Sequence, residues 1–186
     1  MLKDLPASLI ILGAGAIGVE FACIMASFGV KVSLVEMASR ILPSVEPDAS
    51  RLVEAELKKL GVTILAGTKS GSLNYEADVV SLDCTLPDGS SQSLKAEKIL
   101  VAVGRSPNSE QLGIENIGIK TEKGFIPVLD FYQTPVAGIF AAGDVINSPQ
   151  LAHLASKEAE LVVEYLAGKA VRPRIDPNSV PWAVYA

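Results

Sequence analysis

Apolar positions along this chain fall into unbroken runs, helix-length stretches and alternating segments, in an order that predicts its elements. Leu9 to Leu12 is an unbroken apolar run of the kind expected of a strand buried on both faces. A helix is predicted from about Ile17 to Phe28, stopped by Gly29, and a second strand from Val30 to Val35. Pro47 suits the first position of another helix, with Glu46 and Asp48 near the positive end of its dipole. Leu52, Val53, Leu57 and Leu60 give it an apolar stripe, Gly61 ends it, and Val62 to Leu65 makes a third parallel strand. Strand–helix–strand–helix–strand is one half of a doubly wound sheet.

The rhythm then changes. Short alternating runs (Ser72–Tyr75, Val79–Leu86, Ser93–Leu94) surround the turn signal Pro87-Asp88-Gly89 and predict an antiparallel meander in place of a third helix. Lys98 to Val103 returns to a buried parallel strand and closes on Gly104-Arg105-Ser106-Pro107-Asn108. Ser109 to Gly124 reads as loop, with a domain boundary near residues 122–126. Strand-like runs follow at Phe125–Val128 and Ile139–Phe140, ahead of Ala141-Ala142-Gly143-Asp144. Ser148 and Pro149 then read as the cap and first residue of a helix reaching about Ala167, with Gly168 as its stop. The segment past Val171 is proline-rich and ends on VPWAVYA, of strand composition. The fold class is therefore α/β: a Rossmann-type doubly wound parallel sheet with an antiparallel meander, with a further segment of strand-like runs and one helix past the boundary.

Candidate chemistry sits where the first strand meets the first helix, in Gly13-Ala14-Gly15-Ala16-Ile17-Gly18. Gly13 lets the chain turn sharply off the strand, Gly15 lets a pyrophosphate approach the backbone, and Gly18 lets the helix pack close to the strand. The N–H groups opening the helix face an anion there, supported by the helix dipole. Glu36 closes the second strand roughly 20 residues on, where a carboxylate accepts hydrogen bonds from the adenosine ribose hydroxyls. A carboxylate there repels a 2′-phosphate, and Met37 and Ala38 follow it with no arginine, which favours NAD; Arg40 is near enough to keep NADP open. A bare glycine-rich turn that binds nothing is the plainer alternative.

Bulk properties narrow the class. A chain of 186 residues with 49% hydrophobic and 20% charged residues has ordinary globular composition. Its net charge of −5, with no basic cluster, argues against nucleic acid or an anionic membrane as partner. No apolar stretch is long enough to span a bilayer, and the opening MLKDLPAS does not resemble a signal peptide. Cys23 and Cys84 stand in no metal or redox spacing, so a cytoplasmic protein is expected.

Three motifs stand in order: GAGAIGVE (13–20), VAVGRSPN (101–108) and TPVAGIFAAGDV (134–145), with LAHLA (151–155) behind them. Together they resemble the flavin-dependent pyridine nucleotide–disulfide oxidoreductases, most closely the dihydrolipoamide dehydrogenase branch, over essentially the whole chain. The resemblance implies the middle of a subunit: an NAD-binding domain over residues 1–124, part of a second α/β domain (the C-terminal half of an FAD-binding domain) over 125–170, and the start of an interface domain over 171–186. The family's redox Cys-x4-Cys and its catalytic His–Glu pair have no match here, so the chain is expected to be a fragment without catalytic residues. The strand-like runs after residue 124 would then lack neighbours, and disorder or pairing with a second copy is expected of them.

The resemblance assigns NAD(H) to Gly13, Gly15, Gly18 and Glu36, with Ile17, Met37 and Val103 beside them. Ala16 stands where some relatives carry a gating tyrosine. Glu20, placed in the first turn of the helix, resembles a glutamate beside the nicotinamide; from the bare sequence, an acid favoured at a helix start is the lesser alternative. Gly104 looks like a backbone contact to the nicotinamide end, and Arg105 like a residue that fixes the loop. FAD is assigned Gly143 and Asp144, which resemble the turn at the ribityl chain. Leu151, Ala152 and His153 stand where a helix start faces the flavin. His153 could instead be an ordinary helix residue, and it is not the family's catalytic base. For the whole parent the resemblance implies oxidation of dihydrolipoamide by NAD⁺ through FAD, a homodimer, and a place in a lipoyl-bearing multienzyme complex. A non-catalytic NAD-binding module, or a piece of a mercuric, glutathione or coenzyme A disulfide reductase, is the alternative.

Overall fold

The computed structural model describes residues 3–186. Met1 and Leu2, which open the N-terminal stretch read above, lie outside the described residues. Two compact units form, one running through Gly104 and joined by Val184–Ala186, the other Arg105–Ala183. This division falls earlier than the boundary read near residues 122–126. Residues 105–124 gather with the later part of the chain, because Ile119 enters the core of the second unit beside Ile126, Tyr132 and Ile146.

The first unit opens with β1 (Ser8–Leu12), α1 (Ala16–Ser27), β2 (Lys31–Val35), α2 (Pro47–Lys59) and β3 (Thr63–Leu65). The meander comes next as β4 (Lys69–Glu76), β5 (Val79–Thr85) and β6 (Ser91–Ala96), and β7 (Lys98–Val101) completes the unit. The parallel sheet runs β3-β2-β1-β7, and β4-β5-β6 form a separate antiparallel sheet.

The period-2 rule explains how both faces of the parallel sheet are buried. Leu9, Ile11, Val32 and Leu34 join Val19 and Ala22 of α1 and Leu57 of α2 in one apolar cluster. Their sequence neighbours Ile10 and Val35 turn to the other side, where they meet Leu82, Cys84, Leu94 and Ala96 of the meander. The unbroken apolar run at β1 is thus the signature of a strand covered by helices on one face and by strands on the other.

Two details of α2 and its surroundings correct the sequence reading. Leu57 is buried and Val53 half-buried, but Leu52 and Leu60 are exposed, so the stripe is narrower than four leucine and valine positions implied. Ser50 takes the vacant place in the core. Its buried hydroxyl donates to the Ile41 carbonyl at 2.7 Å, which satisfies a polar group that burial alone would penalise.

The second unit contains α3 (Ala152–Leu166) and several single-turn 3-10 segments, among them Ile114–Ile117 and Gly143–Val145. The strand-like runs expected at 125–128 and 139–140 do not form strands. Only isolated bridges occur, Glu122 with Phe125 and Gln133 with Phe140. Nor is the segment disordered: Ile119, Ile126, Tyr132, Ile146 and Leu161 form a cluster of their own, so the apolar side chains pack on α3 instead of within a sheet. The helix also starts later than Ser148-Pro149 suggested. Leu151 is its extended N-cap residue, no side chain caps it, and the Leu151 N–H is spent on a turn to the Pro149 carbonyl. The Ser148 hydroxyl is buried and finds no partner among the described residues.

Candidate functional site

The turn from β1 into α1 is built by three glycines with different surroundings. Gly13 has φ +99, and a Cβ on it would lie 2.4 Å from the Ala102 carbonyl oxygen, inside the gap between β1 and β7. A Cβ on Gly18 would lie 1.9 Å from the Gly13 carbonyl oxygen, so α1 approaches the strand as closely as backbone allows. Gly15 is the extended N-cap residue of α1, and a Cβ there would meet nothing within 4 Å. The open side of the turn is therefore at Gly15, beside the N–H groups from Ala16 onward that a helix leaves without internal partners. That is a cradle for an anion, and it fits a pyrophosphate.

Glu36 stands directly beside this turn. Its carboxylate accepts the Ala14 N–H at 2.7 Å through Oε2 and the Ala38 N–H at 2.7 Å through Oε1. The side chain is thus fixed at the end of β2 with lone pairs to spare for further donors. Arg40 does not reach outward. Its guanidinium donates to the carbonyls of Leu42 (3.1 Å), Pro43 (2.7 Å) and Val45 (2.7 Å).

The remaining residues read onto this unit occupy varied positions. Ala16 is half-buried and Ile17 exposed in the first turn of α1. Glu20 lies in the second turn, since no acid occupies the first, and its Oε1 accepts the Tyr185 N–H at 2.9 Å. An acid placed merely to suit a helix start does not describe it. Met37, Val103 and Gly104 are exposed, the last with φ +125.

In the second unit the Gly143-Asp144 turn and the start of α3 come together. Gly143 has φ +78, and a Cβ on it would come within 3.1 Å of the Ala155 side chain. The Asp144 carboxylate is half-exposed, with Arg105 Nε 3.9 Å away in a solvent-facing pair of little energetic weight. Leu151 and Ala152 open the helix, and His153 Nε2 lies 2.8 Å from the Pro181 carbonyl oxygen. A cleft of about 690 Å³ in this unit, lined by Glu122, Phe125, Asn147 and Arg174 among others, contains none of the residues singled out from sequence.

Sequence reading missed Glu158. This side chain is 2% exposed, and its Oε2 accepts the Gly143 N–H at 2.7 Å, tying the Gly143-Asp144 turn to α3. A signal was present: Leu154, Glu158 and Leu161 share one helical face, so the spacing puts an acid on the core side. The carbonyl-bound state of Arg40 had no such signal. Neither cysteine forms a redox pair with the other; both are free, and burial, then the Asp83 charge, pushes the Cys84 thiol up and keeps it protonated. Among the described residues no cluster of metal-ligating side chains occurs, and no helix is long and apolar enough to cross a membrane.

Residues 1–159 match the family described as pyridine nucleotide-disulphide oxidoreductase. The chain belongs to this family. Among curated oxidoreductases, the dihydrolipoyl dehydrogenase of Bacillus subtilis is 41% identical over 187 residues, covering 100% of this chain and 39% of that protein. That of Mycobacterium tuberculosis is 41% identical over 184 residues, 98% of this chain and 39% of that protein. The crystal structure of LpdA from Mycobacterium tuberculosis superposes with a TM-score of 0.88 at 28% identity, covering 99% of this chain and 39% of that one. The flavoprotein disulfide reductase RclA from Escherichia coli, as the Cu(II) complex of a mutant form, gives 0.88 at 32% identity, with 99% and 41% covered. This pyridine nucleotide–disulphide oxidoreductase chain thus spans about 39% of the length of the curated relatives it matches.

Proposed function

We propose that this chain is the NAD(H)-holding portion of an FAD-dependent disulfide oxidoreductase of the dihydrolipoyl dehydrogenase kind. The observation that carries the reading is the open face at Gly15 beside the fixed carboxylate of Glu36. The glycine turn receives the pyrophosphate on free N–H groups, and Glu36 accepts the adenosine ribose hydroxyls. Met37 lines the adenosine end; Ala16, Ile17, Glu20, Val103 and Gly104 line the nicotinamide end. Arg40 is spent on carbonyls, so a carboxylate and no free guanidinium faces the ribose 2′ position, which favours NAD over NADP.

FAD fits the second unit along one edge. Asp144 would accept from its ribityl hydroxyls while Gly143 allows close approach, and Leu151, Ala152 and His153 would place the α3 N–H groups beside the ring. When bound, these cofactors supply the hydride chemistry, and the residues of this chain bind and orient them. The division is read as an NAD part to residue 124, an FAD part over 125–170 and the beginning of an interface part beyond. The whole parent would oxidise dihydrolipoamide with NAD⁺ in the cytoplasm, as a homodimer serving a lipoyl-bearing complex, a reading supported by the dihydrolipoyl dehydrogenases it resembles.

The test is calorimetric titration of the 186-residue chain with NADH and with NADPH, followed by an assay for dihydrolipoamide oxidation. Saturable NADH binding, weaker NADPH binding and no turnover are expected. Failure of both nucleotides to bind overturns the reading, equal affinity overturns the NAD preference, and turnover by the chain alone overturns its non-catalytic standing.

A further inference from the structure

We propose that Arg40 is a positioning residue for the dinucleotide turn, acting through Leu42 on the peptide between Ala14 and Gly15. The inference rests on the nucleotide reading above and concerns how the turn is aimed.

The connection starts at the guanidinium. Three carbonyl oxygens, those of Leu42, Pro43 and Val45, converge on Nη1 and Nη2 of Arg40. Carbonyl dipoles gathered in this way repel one another, and a planar cation with donors on a fixed fork holds them together. The loop so held contains Leu42 at φ +46, a backbone conformation that a residue other than glycine adopts only when its surroundings impose it. Burial of the Leu42 and Ile41 side chains anchors the same loop, and the Ser50 hydroxyl on the Ile41 carbonyl fastens it to α2.

Held in that shape, Leu42 directs its N–H to the Ala14 carbonyl oxygen at 2.7 Å. The Ala14 carbonyl and the Gly15 N–H belong to one planar trans peptide, in which the two groups point in opposite directions. A donor that fixes the carbonyl therefore also fixes the N–H, and Gly15 is the position of the turn with open space around it. The preceding peptide is fixed independently, because the Ala14 N–H donates to Glu36 Oε2 at 2.7 Å. Glu36 and Arg40 thus hold the two peptides that flank the Ala14 side chain, Glu36 directly and Arg40 through Leu42. Arg40 does this with its charge turned inward, which separates it from an arginine that reads a 2′-phosphate.

The test uses the 186-residue chain with Arg40→Ala, Arg40→Lys and, as a charge control on the exposed face of α2, Arg51→Ala. Each is titrated with NADH, NADPH and adenosine, and hydrogen exchange at the Leu42 and Gly15 amides is followed without ligand. Arg40→Ala is expected to weaken NADH about tenfold, to leave adenosine within about twofold and to leave the NADH to NADPH ratio unchanged. Leu42 amide exchange should accelerate. A lysine has three donors on one nitrogen but lacks the planar fork that spreads the three carbonyls over Nη1 and Nη2, so Arg40→Lys should fall between, and it carries the test if the alanine variant does not fold. Arg51→Ala should match the unsubstituted chain.

Unchanged NADH affinity and Leu42 exchange in the Arg40 variants would overturn the proposal. So would selective loss of NADPH, which would make Arg40 a phosphate reader. If the unsubstituted chain binds no NADH but Leu42 exchange accelerates in Arg40→Ala, the nucleotide reading falls and the hold of Arg40 on the turn stands.

Discussion

A single methyl group would meet three different surroundings at Gly13, Gly15 and Gly18. At Gly18 it would be driven into the Gly13 carbonyl, and at Gly13 into that of Ala102 with a positive φ besides. Gly18→Ala and Gly13→Ala should each destabilise the chain, on the order of 3 kcal/mol or more, since backbone atoms cannot move aside as a side chain can. At Gly15 the methyl group meets only open space, and φ is −71. Gly15→Ala should therefore melt within about 1 kcal/mol of the parent yet bind NADH about tenfold more weakly, because the methyl stands where the pyrophosphate approaches. Thermal melts paired with NADH titrations check this; equal melting losses at all three positions would refute the division. The glycine spacing and Glu36 were legible in the sequence as a pattern of strand, turn, helix, strand and acid, although the atoms that constrain Gly13 and Glu36 belong to Ala102 and Ala14. The contacts of Arg40 depend on how residues 41–45 fold back, and that path is set by the burial of Ile41 and Leu42 in a core assembled from distant strands.

At the level of elements, β1 was readable because its consecutive apolar residues face two apolar layers in turn. The start of α3 was misread. Ser148-Pro149 has the composition of a helix start, but Pro149 is consumed in a turn and the helix begins at Ala152. The runs at 125–128 and 139–140 carry strand composition without a strand beside them, and composition cannot report a missing neighbour. The acid on the inner face of α3 is the element's most telling residue. Glu158→Ala should cost about 2–3 kcal/mol, because it leaves the buried Gly143 N–H unpaired and opens a cavity. Glu158→Gln keeps an acceptor and should cost less than half as much. Denaturant melts of the two variants check the order, and equal losses would mean that the hydrogen bond to Gly143 does not matter.

For the whole chain, a parallel sheet with an antiparallel meander is what the order of apolar runs predicted, while the strand order β3-β2-β1-β7 and the meander's place against one face come from the structure. Likeness to disulfide reductases along 99% of the chain agrees with it. A chain that spans about 39% of its curated relatives can carry a cofactor site without carrying their chemistry. The most direct measurement is a two-dimensional amide NMR titration of the labelled 186-residue chain with NADH. Saturable shifts are expected, concentrated at Ala14, Gly15, Ala16, Ile17 and Gly18, and at Glu36 and Met37 beyond β2. Saturable shifts centred elsewhere, or none at millimolar NADH, would contradict it.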